Sequence, residues 1–239
     1  MSKDFNYQFF IDTFFVALSG ISITLLVTIV ALLIALPLAF LLALTRINRI
    51  PIIQRITQIY VSFVRGTPII IQIFIIYSSI PLILKAVLEK YDVQFDIFKI
   101  NPIWYAVIIF SFSTTALLIE VFRSALSTVK KEQLEAAYSV GLTTFQAYKR
   151  IIIQQALVVA LPNICTTTVN LIKATSLGYA MSLPEITLNA KVAANMGYNY
   201  VEAYLDIFVV YLILCMAVEY VFKVLERHLS KYKTGEFLI

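Results

Sequence analysis

Hydrophobic and polar positions alternate along this chain in blocks, with five long apolar stretches separated by shorter polar links. The first covers 14–44 and contains LLVTIVALLIALPLAFLLAL; its upstream part is expected along a membrane interface. The second, 68–84, reads PIIIQIFIIYSSIPLIL, and the third, 102–121, reads PIWYAVIIFSFSTTALLIEV. The fourth, 156–183, opens ALVVALPNICTTTVNLIKATSL, and the fifth, 201–224, holds YLDIFVVYLILCMAVEYVFKV. Each lies near the ~20 residues that carry an α-helix across a bilayer core. None shows period-two alternation, so helices are expected and a closed barrel is not. The pattern predicts an all-α membrane protein with five transmembrane helices. Pro37, Pro81 and Pro162 fall inside these stretches and predict bends where neighbours can cover the freed carbonyls.

Composition agrees with the pattern. The chain has 239 residues, 60% hydrophobic and 14% charged, against about 25% charged in an ordinary soluble domain. The net charge of +5 is spread over links with no aromatic-interleaved stripe, so it reads as loop bias and no nucleic-acid partner is expected. Cys165 and Cys215 both fall within apolar stretches and are expected as packed free thiols. The apolar run behind Lys3 and Asp4 is too long for a signal-peptide core and is expected to be retained.

Charge in the links sets the expected direction. Arg46, Arg49 and Arg55 follow the first stretch, Lys130, Lys131, Lys149 and Arg150 follow the third, and Arg227, Lys231 and Lys233 follow the fifth. On the other side Lys85, Lys90, Lys99 and Lys191 are diluted by Glu89, Asp92 and Asp96. The positive-inside bias places the N-terminus outside and the C-terminus in the cytoplasm.

The third link, STVKKEQLEAAYSVGLTTFQAYKRIIIQQALVVALP, is cytoplasmic on this reading. Residues 131–140 are good helix formers, Gly141 suits a C-terminal stop, and Thr143 or Thr144 can cap the next helix. That next helix runs through Lys149 and Arg150 into the fourth stretch. A force on the stubby first helix would therefore reach a membrane span. Ala136 and Ala137 keep it slim enough to enter a groove, and Glu135 adds a charge for a partner's basic group or backbone amide.

EAAYSVGL (135–142), with ALP downstream (160–162), resembles the EAA-type signature of ABC importer permeases. RGTPIIIQIFIIY (65–77), IEVFRSALSTVKKEQLEAA (119–137) and LIKATSL (171–177) are similar to segments of the polar amino-acid uptake branch, in the same order over nearly the whole chain. The resemblance implies one permease domain over 1–239 with a type I ABC importer permease fold. It also implies a coupling segment, 131–150, in which Glu135, Ala136, Ala137 and Gly141 engage a cytoplasmic ABC ATPase dimer. The chain has no G-x-x-x-x-G-K-[ST] phosphate loop, so ATP and Mg are expected on that separate partner. No cofactor or metal is expected on this chain, which is not expected to be an enzyme. The resemblance further implies a second permease copy or paralogue, an extracellular or periplasmic substrate-binding protein, and a bacterial cytoplasmic membrane.

Two polar features in or at the ends of the spans bear on transport. Lys173 sits roughly 24 Å along an ideal helix from Leu157 at ~1.5 Å per residue, and a lysine at that depth costs about 2.5–3.5 kcal/mol. It lines a solute route together with Thr175 and Ser176, or it snorkels or pairs structurally with a carboxylate. Glu120 and Arg123, spaced i,i+3, are expected as a local ion pair with a gate or structural role. The sequence departs from the family pattern at Ala174, where many members carry an aspartate. That loss predicts a neutral or zwitterionic amino acid such as cystine in preference to a cationic one. The alternative reading is an ATP-independent amino-acid carrier or channel subunit.

Overall fold

The computed structural model describes residues 5–93 and 95–230; Lys3, Lys231 and Lys233 lie outside the described residues. Every regular element among the described residues is helical. The order is α1 (Tyr7–Ser19), α2 (Ile21–Ile47), α3 (Pro51–Gly66), α4 (Ile69–Lys90), α5 (Pro102–Ser127), α6 (Lys131–Ser139), α7 (Thr144–Ala147), α8 (Ile153–Thr175), α9 (Ile186–Asn195) and α10 (Tyr200–Ser230). A 3₁₀ turn precedes α5 at Ile97–Lys99, a π segment (Tyr148–Ile152) joins α7 to α8, and a second 3₁₀ stretch (Ser176–Met181) follows α8. Among the described residues, five helical stretches are long and apolar enough to cross a membrane: Tyr7–Ile47, Ile69–Lys90, Pro102–Ser127, Thr144–Met181 and Tyr200–Leu229. They contain the predicted 14–44, 102–121 and 201–224, all of 68–84 but Pro68, and all of 156–183 but its last two residues. The end of the molecule that carries α6 is called the corner end below.

The central slab is α2 packed on α5. Ala31, Ala35, Ala39 and Ala43 recur every fourth residue on one face of α2 and are fully buried. Such a small-residue stripe lets two backbones approach closely where no hydrophobic effect drives helices together. Larger residues of α5, including Leu118, Ile119 and Phe122, fill the matching surface. Pro37 sits inside α2, Pro81 inside α4 and Pro162 inside α8, and all three helices continue through them.

α1 meets α2 at Gly20 and packs against α9 and α10 at the opposite end. Gly20 is needed there for proximity: a Cβ on it would lie 2.3 Å from the Ile186 backbone nitrogen. Beside this contact Glu185 is fully buried and caps α9, accepting from the Thr187 and Leu188 amides at 2.7 and 2.9 Å. The Tyr211 hydroxyl of α10 donates to the same carboxylate at 2.9 Å. One glutamate thus ties the start of α9 to α10 beneath the α1–α2 junction.

The link expected between the first two stretches is instead mostly α3. Val61 and Val64 join the apolar cluster of α5, and the Tyr60 hydroxyl donates to the Phe112 carbonyl, near the middle of α5. α3 therefore climbs along half of α5 from the corner end. The chain then opens into extended backbone at Thr67 and Pro68 before α4 begins. Gln72 closes the gap: its Nε2 donates to the Val64 carbonyl at 3.1 Å, the Thr67 carbonyl at 3.2 Å and Thr67 Oγ1 at 2.8 Å. The sequence hides α3 because Arg55, Gln58, Ser62 and Arg65 interrupt its hydropathy every third or fourth position.

Candidate functional site

The corner is built by local backbone chemistry. Gly141 takes φ +81°, the left-handed conformation that glycine enters cheaply. The Gly141 amide donates to the Tyr138 carbonyl at 2.9 Å and the Leu142 amide to the Ala137 carbonyl at 3.1 Å, the paired bonds of a Schellman stop. Thr143 then caps the next helix in a capping box, with its amide donating to Gln146 Oε1 at 2.9 Å and its hydroxyl accepting from the Gln146 amide at 3.4 Å. α7, the π segment and α8 follow without a break from Thr144 to Thr175. The predicted stubby helix, glycine stop and continuous second helix are all present.

Glu135, Ala136 and Gly141 are exposed at this corner, whereas Ala137 is buried and faces the protein. Val140 and Phe145 are each 75% exposed, and Tyr138 is also exposed. These three apolar side chains were not singled out from the sequence. Their signal was the position on either side of the Gly141 stop, where a turn forces side chains outward.

Midway to the bundle centre, Glu120 forms the predicted pair with Arg123, whose Nε and Nη2 lie 2.9 Å from Oε2. Its other oxygen, Oε1, accepts from Arg46 of α2. The pair is thus a clamp across the α2–α5 slab. Arg46 had been read only as part of the basic link, since a partner 74 residues away leaves no local spacing to detect.

α8 carries the polar face. Asn163, Thr166, Asn170 and Lys173 are all exposed, at spacings of three, four and three residues, and so share one side of the helix. The Lys173 ammonium forms no hydrogen bond or ion pair with the described residues. Ser176 lies next to this face, its hydroxyl donating to the Lys173 carbonyl at 2.7 Å. Thr175 does not join it. At 100° per residue it points about 200° away from Lys173, is fully buried, donates to the Ile172 carbonyl at 2.6 Å and meets the Tyr211 hydroxyl at 3.5 Å. The expected grouping of Lys173, Thr175 and Ser176 is corrected in that member.

A cavity of about 330 Å³ opens beside the α8 face, at the break between α3 and α4. Thr167, Asn170 and Ala174 come from α8, Ser113 and Thr114 from α5, and Arg65, Thr67 and Gln72 from the broken pair. No residue lining it is acidic. Gln72 is 4% exposed and its Oε1 has no hydrogen-bond partner. Secondary transporters build their solute sites in a comparable way, from interrupted helices beside a polar cavity. Polar side chains on a span avoid lipid for the same energetic reason, facing water or protein.

Comparison with known proteins agrees with this geometry. The chain is 34% identical over 230 residues to the probable amino-acid permease protein YxeN of Bacillus subtilis (strain 168), covering 96% of this chain and 98% of that one. It is 32% identical over 234 residues to the L-cystine transport system permease protein TcyL of the same organism, covering 98% and 95%. Among solved structures, an amino acid ABC transporter with histidines matches 95% of this chain and 100% of its own with a TM-score of 0.76, and at 24% identity this carries the fold. A family model described as binding-protein-dependent transport system inner membrane component matches residues 35–231. The corner, the five spans and these matches together place the chain in that family, the membrane-embedded permeases of ABC importers.

Proposed function

We propose that this chain is the permease subunit of an ATP-driven importer of neutral or zwitterionic amino acids, with cystine a candidate solute. The observation that carries the reading is the exposed polar face of α8, Asn163 to Lys173, set against the acid-free cavity. A face like this is stable in a bilayer when it lines water or meets a second permease, a copy of this chain or a paralogue. Lys173 supplies a positive charge for the solute's carboxylate, and Ser176 holds the backbone beneath it. Ala174, in place of an acid, leaves nothing to recognise a cationic side chain. The name of the L-cystine relative supports the same class.

The corner end faces the cytoplasm of a bacterium, with the N-terminus outside and the C-terminus inside. There Glu135, Ala136 and Gly141, flanked by Val140 and Phe145, enter a groove of an ABC ATPase dimer that binds ATP and Mg. Ala137 supports the docking helix from within. The Glu120 clamp, with Arg46 and Arg123, holds the inner ends of α2 and α5 as the coupling helix moves. A separate extracellular or periplasmic binding protein delivers the solute.

Uptake of labelled cystine by the reconstituted assembly tests the reading. Lys173→Ala is expected to lower uptake at least tenfold, and inactivating the ATPase's catalytic base to abolish it. Uptake that survives the ATPase change would favour an ATP-independent carrier, and unchanged uptake by Lys173→Ala would remove the α8 face from the route.

A further inference from the structure

The second polar stripe of the molecule lies on α3. Arg55, Gln58, Ser62 and Arg65 are all exposed, at the same three, four and three spacing as the α8 face. An arginine on lipid is costly, so a helix lying along α5 with this side outward needs water or protein against it. The stripe opens on two voids. One is the 330 Å³ midplane cavity. The other, about 210 Å³ and nearer the corner end, is walled by Arg46, Gln58, Ser62 and Glu120. Arg65 is the residue the two voids share.

Charge accounting isolates Arg65 as well. Glu120, the acid of the lower void, gives one oxygen to Arg46 and the other to Arg123. The midplane cavity has no acid. The Arg65 guanidinium therefore stands at the junction with five N–H donors and no acceptor among the described residues. Gln72 lines the same cavity with its amide nitrogen committed to the α3–α4 break, and its Oε1 is buried without a hydrogen-bond partner. A solute carboxylate entering from the cavity would satisfy the exposed guanidinium. A planar guanidinium takes a carboxylate through two parallel bonds, which a lysine cannot reproduce.

We propose that Arg65 is a specificity-determining residue that takes the carboxylate of the transported amino acid at the α3–α4 break and passes it from the midplane cavity to the cytoplasmic one. This rests on the reading of the α8 face as the solute's route, and the test separates the two. In a Cys165→Ser, Cys215→Ser background, Asn170→Cys and Ser62→Cys report water access on α8 and α3. Both are expected to react with small membrane-impermeant thiosulfonates, and Ser62→Cys to react at least fivefold faster with an anionic reagent than with a cationic one of equal size. Adding Arg65→Gln is expected to erase that preference, and Arg65→Lys to keep it. Uptake of labelled cystine by the complete assembly is expected to fall at least tenfold in Arg65→Gln and by less in Arg65→Lys.

If neither cysteine reacts, the route reading falls and the inference with it. If both react but the anion preference survives Arg65→Gln, or that variant takes up cystine at the wild-type rate, the route stands and Arg65 has no part in it. Reactivity of Asn170→Cys in the Arg65→Gln protein shows that the variant is folded.

Discussion

Glu185 holds the start of α9 to α10 from a position where a carboxylate is poorly solvated. Burial pushes its carboxyl up to about 7 from an ordinary 4.5, although the Thr187 and Leu188 amides and the Tyr211 hydroxyl pull in the other direction. The folded protein therefore retains a proton that the unfolded chain has released between pH 4.5 and about 7. Its contribution to stability is fullest below 4.5 and is lost as pH rises toward 7. Thermal melts of the solubilised protein are expected to fall in midpoint from pH 5 to 7.5, and Glu185→Gln to flatten that slope. The neighbouring Gly20 admits no side chain because the Ile186 backbone is 2.3 Å from where its Cβ would stand. Gly20→Ala is expected to destabilise the protein by about 1–3 kcal/mol, the usual range for overpacking, read as a lower melting temperature. At this scale the sequence was legible where partners are close in the chain. Glu120–Arg123 follows from i,i+3 spacing, while Arg46 and the Glu185–Tyr211 contact depend on how distant helices dock. Thr175 was misplaced because proximity in sequence to Lys173 was read without the 100° turn per residue.

Among the elements, the corner was the most legible because its signals are short-range. A glycine stop and a threonine cap determine their own geometry whatever surrounds them. A side chain at Gly141 would meet no atom of this chain within 4 Å, so within the chain substitutions there act through φ. Solute-stimulated ATP hydrolysis by the assembly is expected to fall in the order Gly141→Asn, Gly141→Ala, Gly141→Val. Asparagine tolerates the left-handed region, alanine loses about 1–2 kcal/mol there, and valine loses more. Equal activity in all three would show that the corner does not transmit force. α3 was illegible for the opposite reason. Its polar stripe breaks the hydropathy that defines a span, and only its packing on α5 shows how far it runs along the bundle.

At the scale of the molecule, a rigid slab and a polar seam lie side by side. The alanine stripe of α2 locks it to α5 with no room for adjustment. α8 is connected differently: it runs unbroken to the corner through one π segment. Five-span architecture was readable from hydropathy. The seam was not, because the residues facing it come from three separate stretches of chain.

The α3–α4 break also constrains how the protein is made. Extended backbone at Thr67 and Pro68 cannot sit in hydrocarbon unaided. Its covering helices, α5 and α8, are synthesised later, so while the ribosome is still working α3 has to wait at the headgroups. Completion of the seam is then a late event in biogenesis, after the third and fourth spans have left the insertion machinery.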